Sequence, residues 1–159
     1  MSMRVALESP DQPEVIQLIA DLDAYQDSLY PPESRYALDL ASLKQNNVLF
    51  AVARDASGHA IGCGAIVLGG EYGEVKRMYV HPRSRGQGVA RQVLALLEAQ
   101  AEESGCTLLM LETGPKQPQA LALYECLGYH RRPPFGSYRD DPLSVFMQKG
   151  IGGTPGALT

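Results

Sequence analysis

Arg83-Ser84-Arg85-Gly86-Gln87-Gly88-Val89-Ala90 joins a run of strand composition to a run of helical spacing through a glycine-spaced basic turn. Upstream, Glu74-Val75-Lys76-Arg77-Met78-Tyr79-Val80 reads as a strand and ends at His81-Pro82. Downstream, Val89, Val93, Leu96 and Leu97 recur at helical spacing, and Gly105 supplies the stop. A helix start carries backbone N–H groups without intrahelical partners and roughly half a positive charge. Glycines let the chain curl so that several of those groups face one point. Two readings follow. The turn either cradles a phosphate or pyrophosphate, or it only connects a strand to a helix. The P-loop pattern is absent, and the glycine series of a dinucleotide-binding turn is incomplete.

Working outward, Met3 to Leu7 reads as a first strand, and Asp11 with Glu14 as a capping pair. Val15, Leu18, Ile19 and Leu22 then form one helical face. Pro31-Pro32 marks a loop, and Leu38, Leu40 and Leu43 suggest a second short helix. Val48 to Arg54 and Ala60 to Leu68 are strands joined by the hairpin turn Asp55-Ala56-Ser57-Gly58, and Gly69-Gly70 leads into the Glu74 strand. Thr107 to Glu112 reads as a buried strand, and Ala120 to Leu127 as a helix stopped by Gly128. Tyr129 to Arg132 and Ser144 to Lys149 form a final pair of strands, and residues 151–159 a mobile tail. The order β-α-α-β-β-β-α-β-α-β-β predicts one α/β domain over residues 1–150, with a mixed, mostly antiparallel sheet.

Composition narrows the function classes. A chain of 159 residues suits a single domain with a full-sized core. Its first residues lack a signal-peptide pattern and it has no apolar run of membrane-spanning length, so the expectation is a cytoplasmic protein with no membrane partner. A net charge of −4 argues against nucleic acid as a partner. Lys76, Arg77, Arg83, Arg85 and Arg91 nevertheless form a local basic cluster around the glycine turn. Cys63, Cys106 and Cys126 lack metal-ligand spacing and read as packing residues, and His59, His81 and His130 are scattered, so no metal is expected.

Arg83, Gly86 and Gly88 fill the pattern [QR]-x-x-G-x-[GA], which resembles the acetyl-CoA-binding signature of the GNAT superfamily of N-acetyltransferases. "EVKRMYVHP" is similar to that family's fourth strand, and "QALALYECLGY" (Gln119 to Tyr129) to its second cofactor motif, A-x-x-x-Y followed by G-[FY]. Together these cover roughly residues 48 to 149. The family's helix often begins with Asn, where this chain has Gln117. The resemblance implies a sheet of about seven strands flanked by four helices, splayed between strands four and five by a bulge in the fourth. It implies that the coenzyme's amide arm fills that gap like an added strand. Main-chain groups of Met78, Tyr79 and Val80 would hold the arm, and Gln117 and Tyr124 would touch it. Arg85, Gly86, Gln87, Gly88, Val89 and Ala90 would hold the pyrophosphate. A homodimer is implied by the resemblance alone.

Acetyl transfer from a thioester to an amine requires a neutral amine, a stabilised oxyanion and a proton for the departing thiolate. An alkyl amine has a pKa of roughly 10 and is mostly protonated at neutral pH; a carboxylate can remove that proton, directly or through water. By the family's second motif Tyr124 is the candidate general acid. Glu74, at the start of the fourth strand, is the favoured base, and Glu112, at the end of the neighbouring strand, is the other candidate. The acceptor pocket is expected from Tyr25 to Leu40, Glu71-Tyr72 and Pro133 to Asp141, which offer Tyr30, Glu33, Arg35, Tyr36, Tyr72, Tyr138, Arg139 and Asp140. The leading reading is an acetyl-CoA-dependent N-acetyltransferase for a small-molecule amine. Transfer to a protein lysine or N-terminus, a non-catalytic acyl-CoA-binding module and a purely structural turn are the alternatives.

Overall fold

The computed structural model describes residues 2–34 and 38–152. The expected strands all form: β1 (Met3–Leu7), β2 (Val48–Asp55), β3 (Ala60–Leu68), β4 (Gly73–Val80), β5 (Leu108–Thr113), β6 (His130–Arg132) and β7 (Val145–Gly150). The helices are α1 (Pro13–Leu29), α2 (Leu40–Leu43), α3 (Val89–Glu103) and α4 (Pro118–Cys126), with short 3-10 turns at Pro32–Ser34 and Pro82–Ser84. The strands make one sheet in the order β1-β2-β3-β4-β5-β7-β6. β4 and β5 run parallel, and the other neighbouring pairs are antiparallel. Arg35, Tyr36 and most of the expected tail (153–159) lie outside the described residues.

Alternation along the strands separates two cores. Phe50, Val52, Cys63, Ala65 and Tyr79 point to one face and meet Val15, Leu18, Ile19 and Leu22 of α1. Ala51, Ala53, Ile66, Val75, Leu109, Leu111 and Met147 point to the other, against Val89, Val93, Leu94 and Leu97 of α3 and Leu121 and Tyr124 of α4. Leu94 and Leu97 are fully buried, and each stabilises the fold by roughly 1.5–3 kcal/mol relative to leaving it exposed. That packing fixes where α3 begins, and so where the glycine turn sits.

Two local expectations are corrected. α1 is not capped by Asp11 with Glu14. Gln12 is the N-cap residue without a side-chain cap bond, and Glu14 Oε2 instead accepts from the Ala60 N–H at 2.9 Å. Cys126 is exposed rather than packed, whereas Cys63 is buried as expected.

The sheet opens at a bulge in β4. Cys63 pairs with Tyr79 and Ala65 with Lys76, so β4 inserts an extra residue against β3 there. Arg77 takes a φ of 60°, the single left-handed non-glycine among the described residues. Such a conformation costs energy and persists only where the surroundings hold it. Here Arg77 Nη1 lies 2.7 Å from Asp23 Oδ1 on α1, and its Nε donates to the Leu38 carbonyl at 3.0 Å. Pairing between β4 and β5 runs only from Gly73 to Val75. Beyond Val75 the two strands part.

Candidate active site

The glycine turn and the parted strands form one continuous cleft. Gly86 and Gly88 have φ of 78° and 80°, which only glycine adopts without strain, and a Cβ built on either meets nothing within 4 Å. The first intrahelical bond of α3 runs from Gln92 N–H to the Gly88 carbonyl at 3.1 Å. The N–H groups of Val89, Ala90 and Arg91 therefore precede it and face the turn without helical partners. The open cleft of about 690 Å³ is lined by Met78, Tyr79, Val80, Arg85, Gly86, Gly88, Val89, Ala90, Gln117 and Tyr124. Of the positions expected to touch the coenzyme, Gln87 is the one outside this lining. An unfilled glycine cradle at a helix start, continuous with an unpaired stretch of strand, suits a pyrophosphate carrying an extended amide arm.

The basic cluster splits. Arg85 and Arg91 line the cleft. Arg85 Nε donates to the Val80 carbonyl at 3.1 Å, and its guanidinium stands over the rings of Tyr79 and Tyr25 at 5.6 and 5.8 Å. Arg77 belongs to the bulge, and Lys76 pairs with Glu74 at 3.2 Å. Those two cations are not part of the cradle.

Behind the cleft lies a smaller polar cavity of about 100 Å³, walled by Tyr30, Ser34, Lys76, Arg77, Glu112, Thr113 and Leu143 among others. Leu22, Met78, Gln117, Ala120 and Tyr124 line both hollows and form the partition between them. Tyr124 is 7% exposed. Its ring meets that of Tyr129 edge to face, with centroids 5.7 Å apart. Gly128 ends α4 at φ 98°, and the Tyr129 N–H returns to the Tyr124 carbonyl at 2.9 Å. Tyr129 is itself held, its hydroxyl donating to Glu98 Oε2 at 2.7 Å. Burial first, and the nearby Glu112 charge second, push the Tyr124 phenol above its ordinary range. A neutral phenol is what a proton donor must be.

The two candidate carboxylates occupy different places. Glu74 pairs in register with Met110, inside the zipped part of β4 and β5. Its carboxylate accepts from the Tyr138 hydroxyl and pairs with Lys76, and it lines an outer recess with Glu71 and Tyr72 rather than the cavity. Glu112 lies farther along β5, where the strands have parted, and lines the cavity with Tyr124. Burial pushes its carboxyl up to about 7, with the charges of Glu74 and Asp141 adding to the rise and Ser144 and Lys76 opposing it. A carboxyl titrating there switches between proton donor and acceptor near neutral pH.

Of the expected acceptor segments, Tyr30 reaches the cavity. Tyr72 and Tyr138 instead join Phe135 and Phe146 in an aromatic cluster that docks the 133–141 segment on the sheet. Ser34 Oγ donates to Asp141 at 2.7 Å and ties that segment to the turn after α1. Gln26, Ser34 and Leu38 of the expected Tyr25 to Leu40 segment line the cavity too, whereas Leu22, Thr113 and Leu143 line it from outside the expected segments. Leu22 also packs in the α1 core, and Thr113 and Leu143 carry no motif. Among the described residues no group of three or more His, Cys, Asp or Glu could hold a metal, and no helix is long and apolar enough to cross a membrane.

Comparison with known proteins gives this arrangement a family. Residues 15–129 match the acetyltransferase (GNAT) family. The chain is 47% identical over 150 residues to an IAA acetyltransferase of Azospirillum brasilense, covering 93% of this chain and 97% of that one. A Klebsiella pneumoniae protein assigned as an acyl-CoA N-acyltransferase shares 43% identity and superposes with a TM-score of 0.84 over 94% of this chain and 97% of its own. An N-acetyltransferase of Thermoplasma acidophilum, solved in complex with coenzyme A, shares the fold at a TM-score of 0.71 and 16% identity, over 95% and 100% of the two chains. With a splayed seven-stranded sheet, a glycine cradle at the start of α3 and these relatives, the chain belongs to the GNAT acetyltransferase family and is an acetyl-CoA-dependent N-acetyltransferase.

Proposed function

We propose that the enzyme acetylates a primary amine on a small molecule, by direct attack while acceptor and acetyl-CoA are both bound. Acetyl-CoA supplies the acyl group as a thioester, and the chain's own residues bind, orient and move protons. The observation that carries this reading is the partition. Tyr124 borders both the cleft that begins at the glycine cradle and the cavity that contains Glu112.

Arg85, Gly86, Gln87, Gly88, Val89 and Ala90 hold the pyrophosphate, and Met78, Tyr79, Val80 and Gln117 hold the arm. Tyr124 gives its phenolic proton to the departing sulfur and is reprotonated by the second proton that the acceptor nitrogen loses on becoming an amide. Glu112, directly or through water, takes the proton of the incoming ammonium; it is preferred to Glu74 because Glu74 is engaged by Tyr138 and Lys76 outside the cavity. The cavity's size limits the part of the acceptor that enters it. A water needs roughly 10–15 Å³ of such space, so about 100 Å³ admits a group of only several heavy atoms. Cytoplasmic residence and a homodimeric state belong to the same proposal, resting respectively on the sequence and on the family resemblance.

A screen of amines followed by thiol release from acetyl-CoA tests the proposal. IAA belongs in the panel because the Azospirillum relative bears that name. A small amine should give the highest kcat/KM; a peptide lysine or N-terminus preferred over every small amine would overturn the assignment.

A further inference from the structure

Tyr30 carries no motif, yet it lines the cavity and joins the end of α1 to the start of α4. It is 8% exposed. Its hydroxyl accepts from the Lys116 backbone N–H at 3.2 Å and donates to Gln117 Oε1 at 3.3 Å. Lys116 Nζ reaches back to the Leu29 carbonyl at 3.0 Å and stands 5.9 Å above the Tyr30 ring. The approach is so close that a Cβ on Gly114 would lie 1.8 Å from the Tyr30 hydroxyl. The chain at position 114 must therefore be glycine for this contact to exist.

The polarity of these bonds has a consequence for Gln117. The hydroxyl accepts from the main-chain N–H of Lys116 and gives its own proton to Gln117 Oε1. That leaves Nε2, with two N–H donors, for the wall where Gln117 lines both the cleft and the cavity. A glutamine has one more rotatable bond than an asparagine and more orientations to lose when it binds. A fixed tyrosine removes that freedom in advance.

We propose that Tyr30 is a positioning residue for coenzyme binding, holding the Gln117 amide so that its N–H donors meet a carbonyl of the coenzyme's amide arm. This rests on the coenzyme occupying the cleft. The family resemblance puts a contact near position 117, and Tyr30 was expected only among the acceptor-pocket residues, with no role toward the coenzyme.

Titration calorimetry with two probes tests it: acetyl-CoA, and adenosine 3′,5′-bisphosphate, which lacks the arm. The proteins are wild type, Tyr30→Phe, Gln117→Ala, the double variant and Gln117→Glu. Losing one hydrogen bond weakens binding by about three- to tenfold. Gln117→Ala should weaken acetyl-CoA by that factor, Tyr30→Phe by no more, and the double variant should be no weaker than Gln117→Ala alone. Gln117→Glu keeps the acceptor for Tyr30 but has no N–H, so it should lose at least as much while folding normally. The bisphosphate should bind all five proteins equally. Wild-type acetyl-CoA affinity in Tyr30→Phe or Gln117→Glu would overturn the role, as would additive losses in the double variant or a parallel loss of the bisphosphate. If Tyr30→Phe does not fold, the Gln117→Glu result decides. Were the wild type to bind neither probe, the coenzyme reading itself would fall, and this role with it.

Discussion

Arg77 Nη1 and Asp23 Oδ1 lie 2.7 Å apart, and this ion pair clamps the β4 bulge to α1. The Arg77 side chain is 5% exposed and that of Asp23 38%. Removing the carboxylate leaves a nearly buried guanidinium without its charged partner, on a residue already in an unfavourable backbone conformation. Asp23→Ala should destabilise the fold by about 2 kcal/mol, the usual scale for a hydrogen bond to a charged group. Chemical denaturation checks this. Because the bulge opens the cleft, the same variant should also weaken acetyl-CoA binding, whereas Asp21→Ala should leave both quantities near wild type.

The cradle separates conformational strain from charge. At Gly88 a side chain has open space, so the fold loses only the cost of a left-handed φ, about 1–2 kcal/mol. Gly88→Ala should therefore fold with modestly lower stability. Gly86→Glu and Gly88→Glu carry a similar backbone cost, yet they place a carboxylate where a diphosphate must sit and should abolish detectable acetyl-CoA binding. Micromolar affinity retained in both Glu variants would show that the diphosphate binds elsewhere.

Most of the architecture was legible in the sequence because it rests on local periodicity. The α1 stripe Val15, Leu18, Ile19 and Leu22 and the β3 run Ala60–Leu68 fall where spacing put them. The cradle was legible for a similar reason, since glycine spacing at a helix start is itself a local signal. What failed was long-range. Nothing local marks Arg77 as the residue that takes a left-handed φ, because its support comes from Asp23 on a distant helix. The proposed preference for Glu112 over Glu74 as the base draws on where β4 leaves β5, a property of the bulge and not of either glutamate. The contact of Tyr30 with Gly114 likewise exists only once α1 and the β5–α4 turn have come together.

Glu112 should give the enzyme its pH dependence. Its carboxyl is raised from 4.5 to about 7, so the base form accumulates as pH rises through about 7. The kcat/KM for the amine should climb across that range, and Glu112→Gln should lower it and remove the ionisation from the profile. Stability runs the opposite way. The native state holds this proton more tightly than the unfolded chain, so its stabilising contribution is present below 4.5 and lost as pH rises to about 7. Relative to wild type, Glu112→Gln should therefore gain stability between pH 4 and pH 8, as denaturant midpoints at the two pH values would reveal. A profile in Glu112→Gln with the wild-type ionisation intact assigns the base to another group, Glu74 first.

Tyr124→Phe isolates the proton donor from the scaffold. The variant deletes one oxygen and keeps the ring that packs edge to face on Tyr129. No group among the described residues hydrogen-bonds the Tyr124 hydroxyl, so its removal strands no buried partner. Fold stability and acetyl-CoA affinity should stay near wild type. Turnover should fall by about ten- to a hundredfold or more, the scale of lost general-acid assistance. The loss should shrink with acyl donors whose leaving thiol is more acidic than that of coenzyme A, because such a thiolate departs with less help from a proton. Equal losses for all donors would mean that the hydroxyl positions the thioester instead of protonating the sulfur, and an unchanged rate would remove Tyr124 from the chemistry.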